Sequence, residues 1–279
     1  MSGTLYLCAT PIGNLEDITL RVLRTLQEVD VIAAEDTRNT IKLLNHFEIK
    51  TPMTSYHEYN KAAYLVEQLA NGKNIALVTD AGTPAISDPG EELVKQAYAA
   101  GIPVTSLPGA CACVTALTLS GLSTRRFAFE AFLPSDKKLR RKILDSLCTE
   151  TRTVIIYEAP HHLRATLQEL FAALGDRRLT ICRELTKIHE SAMQFTLSEA
   201  IYYYEQNAPK GEYVLVIEGR NMADLEQESR DAWAQLSVDE HMQHYLSEGM
   251  DRKDAMKQVA KDRGVPKREI YQQLLNKDI

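Results

Sequence analysis

The stretch Leu5-Tyr6-Leu7-Cys8-Ala9-Thr10-Pro11-Ile12-Gly13-Asn14 decides the fold. A short apolar run stops abruptly at Thr-Pro and Gly-Asn, which predicts a buried strand ending in a turn. The pattern returns three times. Val31-Ile32-Ala33-Ala34 runs into Glu35-Asp36-Thr37-Arg38, Ile75-Ala76-Leu77-Val78 into Thr79-Asp80-Ala81-Gly82-Thr83-Pro84, and Val104-Thr105-Ser106-Leu107 into Pro108-Gly109. Helical spacing fills the gaps. One helix starts at Asp17 or Thr19, with Leu20, Leu23, Leu26 and Val29 on one face. A second ends near Phe47, and a third runs from Asn60 to Leu69 and closes at Asn71-Gly72. A fourth opens at Asp88-Pro89, with proline at the favoured first position. A last helix, of small residues, runs through Leu119. Strands alternating with helices predict a parallel sheet covered by helices on its faces.

The rhythm changes at Gly121-Leu122-Ser123. Beyond it the pattern predicts strands at Phe127 to Phe132, Thr153 to Tyr157 and Leu179 to Arg183. A basic helix is expected from Lys137 to Leu147 and another helix from about His161 to Leu174. Ser191 to Phe195 and Tyr213 to Glu218 read as antiparallel strands around a helix near Glu199. From Asp231 onward there is no strand signal, only two or three short helices. The division is therefore a parallel-sheet α/β domain over 1–121, a mixed-sheet α/β domain over 122–222 and a helical tail over 231–279. No internal repeat or low-complexity tract interrupts it.

Of 279 residues, 44% are hydrophobic and 25% charged, ordinary values for a globular chain. The net charge of −6 means that any nucleic-acid contact has to come from local patches. The cysteines, Cys8, Cys111, Cys113, Cys148 and Cys182, are odd in number and scattered, which suits a reducing compartment better than a disulfide framework. Cys111 and Cys113 form a C-x-C pair, but no second pair or nearby histidine completes a zinc set, so no metal site is expected. No signal-like start and no long apolar run is present, so the expected location is the cytoplasm, without a membrane span.

In open parallel sheets, ligands gather outside the carboxyl ends of the strands. The turns at 10–14, 79–84 and 107–112 all carry glycine or other small residues that let a ligand approach the backbone. G-x-G-x-x-G and G-x-x-x-x-G-K-[ST] are both missing, which removes the common dinucleotide and P-loop readings. Neither G-x-S-x-G nor H-E-x-x-H occurs, so the usual hydrolase and metalloprotease readings lose support.

Ala9-Thr10-Pro11-Ile12-Gly13-Asn14-Leu15-Glu16-Asp17-Ile18-Thr19, Ala34-Glu35-Asp36-Thr37-Arg38 and the Thr-Asp-Ala-Gly-Thr-Pro of 79–84 resemble the tetrapyrrole-methylase superfamily. Within it, the chain is most similar to the bacterial small-subunit ribosomal RNA methyltransferases. These transfer methyl from S-adenosylmethionine to a cytidine 2′-hydroxyl of 16S ribosomal RNA. The similarity continues through Tyr157-Glu158, Arg183-Glu184-Leu185-Thr186-Lys187 and Gly211-Glu212-Tyr213-Val214-Leu215 into the tail. One departure is Pro-Gly-Ala at 108–110, where many relatives carry Pro-Gly-Pro. The resemblance implies a two-domain fold with a small helical C-terminal domain, S-adenosylmethionine as cofactor, the small ribosomal subunit as partner and a homodimer. It also implies a cofactor site lined by Ile12, Ala81, Gly82, Thr83, Ile86, Cys111 and Ala112, met from the second domain by Glu158 and Leu185.

Methyl transfer from a sulfonium is an in-line displacement, and a ribose hydroxyl needs a base or a cation beside its developing alkoxide. Glu35 and Asp36, at the end of the second strand, are the candidate bases. Arg38, one helical turn on, suits a phosphate. The plainer alternative is capping by Asp36 or Thr37. Lys187 is the candidate alkoxide partner, set against an interdomain ion pair with Glu184, and Arg183 stands beside it. His57, after Ser55-Tyr56, is read as a surface residue within reach of RNA. Lys137-Lys138-Leu139-Arg140-Arg141-Lys142 lies near Arg125-Arg126, and Arg140 and Arg141 are expected to grip the RNA backbone. In the tail, Arg252 to Ala260, a turn at Gly264 and a second helix carrying Lys267 and Arg268 have helix–turn–helix spacing. Two other readings share these features: a methyltransferase of a small macrocycle, and a ligand-sensing nucleic-acid-binding regulator without catalysis. The basic stretches favour RNA over a macrocycle. The charged clusters beside the turns favour catalysis over sensing.

Overall fold

The computed structural model describes residues 1–56 and 61–275. His57 and Asn60 lie outside the described residues. Two compact units are present, Met1–Leu147 with Arg152–Glu218, and Cys148–Thr151 with Gly219–Ile279.

The first unit contains two five-stranded sheets. The first holds β1 (Leu5–Cys8), β2 (Val31–Ala34), β3 (Met53–Ser55), β4 (Ile75–Val78) and β5 (Val104–Leu107), in the order β3-β2-β4-β1-β5 with every pair parallel. Alternate residues sort onto two faces, as the pleat requires. Leu5, Leu7, Ala33, Ile75 and Leu77 pack under α3 (Ala62–Ala70) and α4 (Glu91–Ala99). Cys8, Ile32, Ala34, Ala76 and Val78 pack under α1 (Leu20–Glu28) and α2 (Thr37–His46). Burial on both faces is why these strands read as unbroken apolar runs. β1 and β4 are neighbours, yet the chain leaves β1 toward β2 on one side and β4 toward β5 on the other, so their ends form a switch point.

The first helix starts at Thr19, one of the two expected positions, though its first apolar residue points outward, and the start at Asp88-Pro89 differs from expectation. Thr19 caps α1 by accepting from the Val22 N–H, and the inward face carries Val22, Thr25 and Leu26; Leu20, at the first helical position, is 85% exposed. Pro89 is not at the first position of α4: Gly90, with φ of 146°, is the cap, and Asp88-Pro89 stays in the preceding loop.

The second sheet contains β6 (Phe127–Phe132), β7 (Thr153–Glu158), β8 (Arg178–Arg183), β9 (Ser191–Thr196) and β10 (Tyr213–Ile217), in the order β6-β7-β10-β8-β9. Only β6 and β7 pair in parallel. Val154, Ile156, Leu179, Ile181, Leu215 and Ile217 face α6 (Lys137–Leu147), α7 (Leu163–Leu174) and α8 (Leu197–Gln206). The opposite face offers Ile155, Cys182, Val214 and Val216 to Cys113, Ala116 and Leu117 of α5 (Ala112–Leu119). The small-residue helix that follows β5 is therefore seated on the second sheet, which joins the two halves of this unit.

The second unit holds four helices among the described residues: α9 (Met222–Ala234), which begins ahead of the expected tail, and within that tail α10 (Val238–Ser247), α11 (Arg252–Asp262) and α12 (Lys267–Leu275). Met242, Ala255, Met256, Val259, Ala260 and Ile270 form its core, and Gly264, at φ of 64°, turns α11 into α12. His241 is fully buried, stacked on Trp233 with ring centroids 3.8 Å apart. Arg263 Nε donates to His241 Nδ1 at 3.1 Å. Burial and the Arg263 charge lower the His241 pKa, and Asp262, 3.3 Å from Nε2, opposes them without reversing the shift. A histidine that resists protonation when folded takes its proton more readily when unfolded, so the stability it allows is present above its ordinary pKa and is lost as pH falls. Trp233 is the sole tryptophan. Its fluorescence should report a falling urea midpoint for this unit between about pH 7 and pH 5, and His241→Phe should flatten that dependence.

Candidate functional site

The turns after β1 and β4 are tied by paired backbone hydrogen bonds. Thr10 N–H donates to Gly82 O at 2.8 Å and Gly82 N–H to Thr10 O at 3.0 Å. Gly82 has φ of 85°, a conformation that an L side chain rarely adopts. Gly13 has no room for a side chain: a Cβ there would lie 2.5 Å from Lys187 Cγ and 3.0 Å from Thr186 Oγ1. The loop of the second sheet is thus pressed directly onto the first turn.

A cavity of about 440 Å³ opens between these walls. Ile12 enters from the first turn, with Ala81, Gly82, Thr83 and Ile86 from the loop after β4 and Cys111 and Ala112 from the head of α5. Glu158 comes from the end of β7 and Leu185 from the loop after β8. The nine residues expected around a cofactor therefore share one cavity. It also takes in Phe132, Tyr157, Tyr213, Val214 and Asp88, which sequence reading missed. Asp88 was legible as a carboxylate before proline, but a helix start absorbs that signal. Ala85, Ser87, Glu184 and Thr186 hold positive φ in the two loops that rim the cavity. Such strained backbone concentrates where a site dictates loop shape.

Three carboxylates meet near this rim. Glu35 Oε2 accepts the Asp80 N–H at 3.3 Å, and Asn39 donates to Asp80 Oδ2 at 3.0 Å. Partial burial, reinforced by the charges of Glu35 and Asp80, raises the Asp88 pKa to about 6. Asp36 behaves differently. It caps α2 through the Arg38 N–H and grips the Arg38 guanidinium, Nη2 to Oδ2 at 2.7 Å, which holds its pKa at about 2. Arg38 itself is 88% exposed. Glu35, Asp36, Arg38 and Lys187 do not line the cavity. Lys187 Nζ is held by Glu184 at 2.8 Å and Glu212 at 3.0 Å, both from its own half of the unit rather than across it.

Arg140 departs from expectation. Its side chain is 16% exposed and turned inward, with Nε donating to Glu169 at 2.6 Å and Nη2 to Thr166 Oγ1 at 2.7 Å. Thr166 in turn donates to the buried Glu158 carboxylate. This chain braces a cavity wall and leaves no free fork for a phosphate. Arg141, 85% exposed, stays outward beside Lys137, Lys138 and Lys142. Arg183 ends β8 outside the cavity lining, with its Nε buried. Lys267 and Arg268 are exposed on α12 of the second unit. No group of three or more histidine, cysteine or acidic side chains among the described residues is arranged to hold a metal.

Residues 4–201 match the family described as Tetrapyrrole (Corrin/Porphyrin) Methylases. The chain belongs to the tetrapyrrole methylase family. Within that family it is 53% identical over 272 residues to "Ribosomal RNA small subunit methyltransferase I" of Halalkalibacterium halodurans, covering 96% of this chain and 93% of the relative. The protein of the same name from Bacillus subtilis is 48% identical with the same coverage. A solved tetrapyrrole methylase, uroporphyrin-III C-methyltransferase from Thermus thermophilus complexed with S-adenyl homocysteine, superposes with a TM-score of 0.54 at 17% identity, covering 77% of this chain and 97% of its own. That likeness establishes the shared fold.

The Gly13 contact is open to test. Gly13→Ala should cost about 1–3 kcal/mol in urea denaturation through overpacking. Lys187→Ala, by removing the opposing Cγ, should recover part of that loss in the double variant, a coupling that a double-mutant cycle measures directly.

Proposed function

We propose that this chain transfers methyl from S-adenosylmethionine to 16S ribosomal RNA of the small ribosomal subunit, on the ribose 2′-hydroxyl of a cytidine. The observation that carries the reading is the 53% identity, across nearly the whole chain, to a relative named as a small-subunit ribosomal RNA methyltransferase. The cavity suits such a cofactor. Its volume falls within the range of about 300–1,000 Å³ common for small-molecule sites. Glycine-permitted backbone lies beside apolar Ile12, Ile86, Leu185 and Val214, and the carboxylates near its rim favour a cationic group. The nine lining residues named above would hold it, and when bound it supplies a methyl already activated on a sulfonium.

The chain's own residues then position the acceptor and handle its proton. Asp88, in the cavity wall with a pKa of about 6, takes the ribose proton. Glu35 keeps Asp88 basic through its charge, while Asp36, already committed to Arg38, orients that guanidinium toward a phosphate. Lys187, whose charge is taken up by Glu184 and Glu212 outside the cavity lining, positions its loop against the first turn rather than meeting the alkoxide, and Arg183 supports the same loop. Outward cations on α6, led by Arg141, and on α11 and α12, including Lys267 and Arg268, hold the RNA backbone. We further assign the working form as a homodimer, as the family resemblance implies, and place it in the cytoplasm. No helix among the described residues is long and apolar enough to cross a membrane.

Incubation with radiolabelled S-adenosylmethionine and small subunits lacking the modification should label one cytidine ribose. Label in a tetrapyrrole instead, or none in RNA, would overturn the reading. Asp88→Asn should lower turnover by about 10²–10⁴-fold with cofactor affinity unchanged in calorimetry. The wild type should gain activity as pH rises through about 6, and the variant should lose that limb. Charge reversal at Lys257 and Arg268 should weaken subunit binding and flatten its salt dependence by roughly one unit of slope per lost phosphate contact.

A further inference from the structure

The thiols of the C-x-C pair have no chemical part in the proposed reaction, although Cys113 packs in the core and Cys111 lines the cavity. Cys111 and Cys113 are free thiols with Sγ atoms 3.4 Å apart. Cys111 lines the cavity and is partly exposed, whereas Cys113 lies buried behind it in the core shared by α5 and the second sheet. The geometry comes from the helix head. Cys111, at φ −147° and ψ 110°, is the extended cap of α5, and Cys113 stands at the second helical position, its N–H donating to the Tyr157 hydroxyl at 3.0 Å. One sulfur thus faces the ligand space and the other sits within reach as its resolving partner.

We propose that Cys111 and Cys113 form a reversible dithiol–disulfide site in the cavity wall, oxidised by a peroxide when the cavity is empty and shielded when a ligand fills it. The shielding rests on the cofactor reading above; the bond formation does not.

The environment separates the roles of the two thiols. The Cys113 S–H, together with backbone N–H groups at the head of α5, lowers the Cys111 pKa, while that partner and burial push Cys113 up. Cys111 is the more acidic of the two, so its thiolate is the form that attacks. Burial raises Cys8 to about 12 and Cys182 to about 11, keeping them as inert thiols. Oxidation proceeds in two steps. The Cys111 thiolate attacks one peroxide oxygen, the O–O bond breaks, and the departing hydroxide takes a proton and leaves as water, giving Cys111 sulfenic acid. Cys113 sulfur then attacks the Cys111 sulfur, the S–O bond breaks, and the leaving hydroxide takes the Cys113 proton as a second water. In sum, two thiols and one peroxide give one disulfide and two waters. The sulfurs must approach from 3.4 Å to about 2.05 Å, within a ring closed by a single intervening residue. Such a constrained bridge is easily reduced, as a labile rather than a structural disulfide should be.

The test is mass mapping of the full-length protein after stoichiometric hydrogen peroxide, with remaining thiols alkylated on denaturation. The expected result is an internal disulfide in the 111–113 peptide, reversed by dithiothreitol. Cys113→Ser should stop at a Cys111 sulfenic acid trapped by dimedone, and Cys111→Ser should leave Cys113 unreacted. No disulfide and no dimedone adduct at Cys111 in these proteins overturns the proposal, as does equal oxidation of Cys8 or Cys182. S-adenosylhomocysteine at about ten times its dissociation constant should slow the reaction roughly tenfold, because only ligand-free protein reacts. An unchanged rate with ligand bound by calorimetry overturns the shielding and the cofactor placement, while the thiol chemistry stands.

Discussion

The paired hydrogen bonds between Thr10 and Gly82 are the constraint on which the site depends. Without them the turns after β1 and β4 are two loops at the end of a sheet. With them the turns form one rigid lip, reinforced by the Thr10 hydroxyl donating to Thr79 O at 3.1 Å. A backbone pairing of this kind is indifferent to most side chains but strict about conformation. It needs Gly82 at positive φ and leaves Ile12 and Ala81 as the lip's inner surface. Thr83, next in the chain, extends the tie to the head of α5, its hydroxyl donating to Ala110 O at 3.0 Å. Three strand ends are thereby fixed relative to one another before any ligand arrives.

The opposite wall depends on α5. Ala112–Leu119 follows β5 of the first sheet directly, yet its buried residues Cys113, Ala116 and Leu117 meet strands of the second sheet. This shared packing sets how the two sheets stand within the unit, and the Gly13–Lys187 approach sets it again at the rim. Lys187 is held back by Glu184 and Glu212, so its aliphatic stem, not its charge, touches the first turn. The cavity results from two close approaches, each requiring small residues at a stated position.

What the sequence made legible follows from period and punctuation. Ile75-Ala76-Leu77-Val78 has one reading, a strand buried on both faces, and the glycine-bearing turns mark where a site can form. The misreadings have two sources: a neighbouring residue that sets where a helix starts, and a partner distant in sequence. Asp88-Pro89 carries a helix-start signal, but Gly90 caps α4 and frees Asp88 for the cavity. Arg140 sits in a run of cations, yet Thr166 and Glu169, about thirty residues on, draw it inward. Leu20 fits an apolar stripe, but Thr19 starts the helix at a rotation that buries Val22 instead. A periodicity argument reads neither a distant partner nor the rotation that a cap imposes.

The charge distribution gives the proposed reaction its logic. Net charge is −6, and Glu35, Asp80 and Asp88 interact near the rim of the cavity. Carboxylates there attract a sulfonium and repel phosphate, each interaction worth about 1 kcal/mol at 4 Å in water and more where water is excluded. RNA affinity cannot rest mainly on such a rim, where Arg38, already paired with Asp36, offers a single phosphate contact. It has to come mainly from cations standing apart from it, and those on α6 project outward once Arg140 is withdrawn into the fold. Separating affinity from chemistry in this way keeps Asp88 able to accept a proton: phosphates gripped beside it would raise its pKa further and leave it protonated at neutral pH. The inward turn of Arg140 serves the same division, because a guanidinium placed in the cavity would pull Asp88 down and remove the poise that makes it a base.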